Sequence, residues 1–313
     1  MRSIDDVSES YLEKLPARAR WVASGFVVLL VLSILWPAPA IELNELIGGP
    51  ALAVDEDSFL GREAPSWDVV FWGIAGFLAL AMIQTAVGDI RAPLGRYRDD
   101  LIVSWRAIAP EFRRIGAGRI SIFAASAAIA VALVWLFADA AILGFAELLE
   151  WKHARTAIRL SNRFGGGMNP VLIILWFSLG GLMYRRLRWT HISIAMIFAG
   201  ASAGTGVQIL KYLIGRTRPE LWLGPFHHAG PPSTSFPSGH TVGAFAIASV
   251  IAIAAESRLL KIVAILLAIS VGVSRILAYR HWPSDVIASA LLGSFFGWFF
   301  TRCVLRAVDS PRH

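Results

Sequence analysis

One point-charge cation at Lys211, two guanidinium forks at Arg218 and Arg275, and two histidines at His240 and His281 fall between positions 211 and 285. Asp285 follows His281 by four residues, and Pro237-Ser238-Gly239 leads directly into His240. These residue types suit the binding of a phosphoryl group and the breaking of its ester through a covalent phosphohistidine. Phosphate ester hydrolysis needs charge stabilised on the equatorial oxygens and an attacker held in line with the leaving group. The uncatalysed reaction is slow enough that enzymes accelerate it by up to ~10²¹. Lys211, Arg218 and Arg275 supply the charge, the two forks matching pairs of oxygens. Ser238 and Gly239 form a turn whose N–H groups can face an oxygen, ahead of a helix N-terminus that favours an anion. A nucleophilic histidine needs its second ring nitrogen held by an orienting group. A helix starting near Trp282-Pro283 lets Asp285 reach back to His281. His240 has no acidic neighbour in sequence and suits the general acid and base.

No metal and no cofactor is called for, because the cations do the work of a metal. A metal phosphatase needs several Asp and His ligands, and only Asp285 stands near these histidines. Cys303 is the single cysteine, so neither an intrachain disulfide nor a thiolate cluster is expected. His227 and His228, in a Pro- and Gly-containing loop, read as solvated loop residues.

The elements that must position these groups are membrane helices. Of 313 residues, 56% are hydrophobic and 16% charged, against about 25% charged in soluble domains. Eight apolar runs approach spanning length: Trp21–Ile41, Val69–Gly88, Ile120–Phe137, Gly165–Tyr184, His191–Leu213, Thr241–Glu256, Leu259–Tyr279 and Val286–Thr301. Backbone in lipid must pair internally, so these runs are helices. Small residues, as from Ala199 to Gly206, allow them to approach closely. Tryptophans such as Trp21, Trp36, Trp189, Trp222 and Trp282 fall near run ends, as an interfacial belt does.

Arginine and lysine set the orientation. The 89–119 loop holds Arg91, Arg96, Arg98, Arg106, Arg113, Arg114 and Arg119, whereas the 42–68 loop holds Arg62 among Glu42, Asp55, Glu56, Asp57 and Glu63. The positive-inside rule puts both termini in the cytoplasm and the 42–68 loop outside. All the candidate site residues then land on the outer, extracytoplasmic face of a plasma (inner) membrane. Lys211 and Arg275 read as lining an anion pocket there, and Arg216 and Arg280 as ordinary interface arginines. The net charge of +7 reflects retained loops, not a nucleic-acid surface. Segment 138–164, with Asp139, Glu147, Glu150 and Lys152, looks amphipathic and suits a lid or a lipid-entry wall. Ala38-Pro39-Ala40 imitates a signal-peptidase site, but the long neutral leader favours an uncleaved first helix.

The joint pattern is Lys211-x6-Arg218-Pro219, Pro237-Ser238-Gly239-His240 and Ser274-Arg275-x5-His281-x3-Asp285. It resembles the type 2 phosphatidic acid phosphatase (PAP2) family, related to vanadium haloperoxidases, with no departure at any motif position over roughly residues 120–305. The resemblance implies an all-α membrane bundle with a six-helix core. It makes His281 the nucleophile, Asp285 its partner and His240 the general acid/base. Lys211, Arg218, Ser238, Gly239 and Arg275 become phosphate ligands. The domain reading is a cytoplasmic segment 1–20, a two-helix module with a basic loop over 21–119, a catalytic domain over 120–305 and a tail over 306–313. The expected function is a lipid phosphatase acting on an isoprenoid pyrophosphate, phosphatidic acid, phosphatidylglycerophosphate or lipid A type substrate. Two alternatives stand beside it: a phosphotransferase on the same scaffold, and a non-catalytic lipid-binding or transport protein. Binding alone needs neither a nucleophile nor a proton donor, which counts against the last.

Overall fold

The structure, a computed structural model, describes residues 91–148, 169–183, 186–221, 223–228 and 234–309. The expected spans Trp21–Ile41 and Val69–Gly88 lie outside these residues, as does the lid segment beyond Leu148. Residues Pro93–His313 make one compact unit.

The fold is an all-α polytopic membrane bundle. In chain order the described helices are α1 (Arg91–Arg106), α2 (Ile108–Ile115), α3 (Ala117–Phe137), α4 (Asp139–Leu148), α5 (Asn169–Met183), α6 (Leu187–Ile214), α7 (Gly239–Ala254), α8 (Arg258–Leu277) and α9 (Pro283–Asp309). Helices α3, α6, α8 and α9 are long and apolar enough to cross a membrane, and α5 and α7 are shorter apolar helices. These six overlap the described parts of the third to eighth apolar runs of the sequence. Helix α3 buries almost nothing, leaving Ile122, Ile129, Leu133 and Phe137 exposed, and α8 exposes Leu259, Leu266 and Val273. Such faces are tolerable where lipid replaces water as the solvent.

The core lies along α6, α7 and α9, with Ile194, Met196, Val242, Val250, Phe299, Phe300 and Cys303 packed together. Helices α7 and α9 meet closely because α9 presents Gly293 and Gly297 to α7. A Cβ at Gly293 would lie 2.4 Å from the Val242 carbonyl oxygen, and one at Gly297 would lie 2.5 Å from that of Ala246. Small residues at this spacing bring two helix backbones together without a hydrophobic driving force.

The helix ends toward the candidate site follow from local sequence. Helix α6 stops at Gly215, whose left-handed backbone (φ 61°) lets its N–H return to the Lys211 carbonyl. Helix α9 opens on Pro283, at the first helical position, where a missing N–H costs nothing. At the other end of α9, Arg302 Nε and Arg306 Nη1 donate to Glu111 of α2, at 3.0 and 2.7 Å.

Candidate active site

Four helix ends meet on one side of the bundle: the last turn of α6, the start of α7, the last turn of α8 and the start of α9. Hydrogen bonds tie the segments between them. Ser235 N donates to Arg216 O at 2.6 Å, Glu220 N to Tyr279 O at 3.1 Å and His281 N to Arg275 O at 3.3 Å. Isolated bridges pair Arg216 with His228 and Thr217 with Thr234. Trp282 Nε1 donates to Thr217 O at 2.9 Å, and Ser238 N to Ser289 Oγ of α9 at 2.7 Å.

His281 is buried, and its Nδ1 lies 2.7 Å from the carbonyl oxygen of Ser235. A carbonyl only accepts, so Nδ1 carries a proton, and in the neutral form of the ring the lone pair lies on Nε2. The spacing in sequence gives this orienting role to Asp285. The carboxylate does approach, with Oδ2 at 3.9 Å from Nδ1, but that exceeds hydrogen-bond reach. Asp285 Oδ2 instead accepts from Ser235 Oγ and, at 2.9 Å, from the Trp282 backbone N–H. Trp282 directly precedes the first residue of α9, and Asp285 is the third, so the side chain closes half of a capping box. That explains the four-residue spacing: the helix start fixes the carboxylate, and Ser235 relays it to the ring.

Arg275 and Arg218 are both buried, at 3% and 5% exposure. Arg218 Nη1 lies 3.6 Å from Glu220, which also pairs with Arg280 at 3.0 Å. Lys211 sits in the last turn of α6 and is half-buried, as is His240, the second residue of α7. Ser238 is fully buried and precedes α7, where its hydroxyl accepts from Thr241 Oγ1 at 3.0 Å. Gly239 is the first residue of α7, and its φ lies outside the left-handed region. The positive-φ glycines of this region are Gly215 and Gly224. A conformation special to glycine is therefore not what position 239 uses. His227 and His228 are exposed, in line with the loop reading.

Two expectations need correcting. Arg216 is no interface arginine. It is fully buried, its guanidinium 4.4 Å from the Trp135 ring and 5.1 Å from the Trp282 ring. Its Nη1 donates to Asp285 Oδ1 at 2.6 Å and Ser284 Oγ at 2.7 Å, its Nη2 to Asp139 Oδ2 at 2.6 Å, and its Nε to Pro225 O at 2.9 Å. Asp139 is likewise no member of a surface-lying amphipathic face. It is fully buried and accepts from the Ser284 backbone N–H at 2.8 Å and the Ser284 hydroxyl at 2.6 Å. Sequence reasoning also passed over Ser235, Ser284 and Ser289. The one available signal was Arg216 itself, a cation where cations are disfavoured, two residues before Arg218.

Buried His281, its Nδ1 donating to the Ser235 carbonyl, lies in the region where these four helix ends meet. Residues 190–309 match the PAP2 superfamily model. The chain is 32% identical to a lipid A 1-phosphatase of Porphyromonas gingivalis over 41% of its own length and 27% of the relative's. It is 29% identical to an undecaprenyl-diphosphatase of Sulfolobus acidocaldarius over 40% of its length and 61% of the relative's. The matches thus span less than two thirds of these relatives. Among solved structures it is similar to a PAP2-type phosphatidylglycerolphosphate phosphatase from Bacillus subtilis. That similarity has TM-score 0.46 and 20% identity, and covers 71% of this chain and 98% of the other.

Proposed function

We propose that this chain is an integral-membrane lipid phosphatase that needs no metal and works through a phosphohistidine on His281. The observation that carries the reading is the Nδ1–H of buried His281 donated to the Ser235 carbonyl, which assigns the nucleophile's part to Nε2 of the neutral ring. Nε2 attacks phosphorus while the bond to the lipid oxygen breaks, and His240 gives that oxygen a proton. Lys211, Arg218, Arg275 and the start of α7, with Ser238 and Gly239, stabilise the charge on the equatorial oxygens. His240 then takes a proton from water, which attacks phosphorus. The P–N bond breaks, phosphate leaves and His281 is neutral again. The substrate class is a phosphomonoester or pyrophosphate carried by a lipid, in keeping with the names those relatives carry.

The test is phosphate release by purified protein in detergent with EDTA present. The panel contains undecaprenyl pyrophosphate, phosphatidic acid, phosphatidylglycerophosphate and lipid A. Release from at least one, reduced at least about 10³-fold by His281→Ala, is the expected result. Absence of release from every lipid would turn the reading toward phosphoryl transfer. The positive-inside pattern of the arginines supports a site on the extracytoplasmic face and termini in the cytoplasm. Right-side-out vesicles should then hydrolyse a short-chain, membrane-impermeant substrate without permeabilisation.

A further inference from the structure

We propose that Arg216 and Asp139 are a buried positioning pair that holds Asp285 and the start of α9 in register with His281; this rests on the phosphatase reading above. Arg216 reaches four separate residues from its own place after α6: Asp139 at the start of α4, Pro225 in the loop, and Ser284 and Asp285 at the start of α9. Trp135 and Trp282 lie against the guanidinium, and Trp135 Nε1 shares the Pro225 carbonyl with Arg216 Nε, at 2.8 Å. Asp139 completes the frame from the other side. Its two oxygens take the backbone N–H and the hydroxyl of Ser284, which caps α9 with a carboxylate from a distant segment.

The charges explain why both residues are needed. Arg216, Asp139 and Asp285 have side chains at 0% exposure, and with both carboxylates ionised the group carries a single net negative charge. That charge lies beside the His281 ring, which becomes cationic while phosphorus is bound to Nε2. Removing the guanidinium leaves two buried carboxylates without the cation that joins them. One must then take up a proton or move, and either change disturbs Asp285. Neither Arg216 nor Asp139 is assigned contact with substrate, so their loss should act on turnover and not on lipid binding.

The experiment compares Arg216→Met, the double variant Arg216→Met with Asp139→Asn, and Arg216→Lys, each in the phosphate-release assay beside wild type and His281→Ala. Arg216→Met should lower kcat about 100-fold with KM within about threefold. The double variant restores one net negative charge and should regain about tenfold of that loss. Arg216→Lys keeps the charge but not the fork, and should fold with kcat reduced about tenfold at unchanged KM. It carries the test if Arg216→Met does not yield folded protein. Wild-type turnover in Arg216→Lys, a loss expressed in KM, or a double variant no better than Arg216→Met would overturn the inference. Release by wild type that these variants retain sinks the positioning role alone. No release by wild type from any lipid sinks the phosphatase reading and this inference with it.

Discussion

At the scale of single residues, the orientation of His281 rests on a backbone atom. Ser235 O receives the Nδ1 proton, and no side-chain substitution removes that carbonyl. Where a carboxylate alone fixes the tautomer of a catalytic histidine, its change to Asn costs about 10⁴ in kcat, because the ring turns the wrong nitrogen to the reaction. Here Asp285→Asn should leave the tautomer intact and remove only a charge and one hydrogen bond. The single amide oxygen can serve either Arg216 or the Trp282 N–H, but not both. A loss of about 10²-fold in kcat is expected, as for removal of one stabilising group, with KM little changed. Steady-state kinetics against His281→Ala checks this. A loss as deep as that of His281→Ala would mean that Asp285, not Ser235, sets the ring.

At the scale of elements, the site depends on how closely α7 and α9 approach, because α7 carries His240 and α9 carries Asp285. Gly293 and Gly297 set that distance, since a Cβ at either would press on α7 backbone oxygens at 2.4–2.5 Å. Backbone cannot swing aside as a side-chain tip can, so Gly297→Ala must push the helices apart. The expected cost is about 1–3 kcal/mol, with activity falling alongside. Gly243→Ala, in the same pair but with nothing within 4 Å of the added Cβ, is the control. It should be neutral or stabilising by up to about 1 kcal/mol. Thermal denaturation in one detergent compares the two, and equal melting points would refute the close-approach account. The apolar runs were legible in the sequence because a soluble core seldom needs an uncharged stretch of spanning length. The glycine contact was less so, since sequence spacing does not say which neighbour a face meets.

At the scale of the whole molecule, α9 joins two polar ends that the sequence reveals unequally. The end that bears the candidate site drew attention because its residues are grouped within three short stretches. Arg216 and Asp139 escaped, being 77 positions apart, and only the folded chain brings Trp135 and Trp282 around the guanidinium. The opposite end was read only as a basic loop, yet Glu111 there is 4% exposed and accepts from Arg302 and Arg306. Burial works to raise the Glu111 pKa, but the hydrogen bonds from Arg302 and Arg306 outweigh it and hold the group below its usual 4.5. A lowered folded-state pKa stabilises the fold fully above the unfolded value. The contribution fades as pH falls from about 4.5 through the folded pKa. Both arginines are more than a third exposed, so solvent screens the clasp, and Glu111→Gln should cost no more than about 1 kcal/mol at pH 7. The variant's melting point should approach that of wild type as the pH is lowered below 4.5. Its kcat at pH 7 should stay near wild type, because the clasp lies about 25–30 Å along α9 from Asp285, at 1.5 Å per residue. A stability gap that persists unchanged in acid would show that packing, not the charge on Glu111, holds α2 against α9.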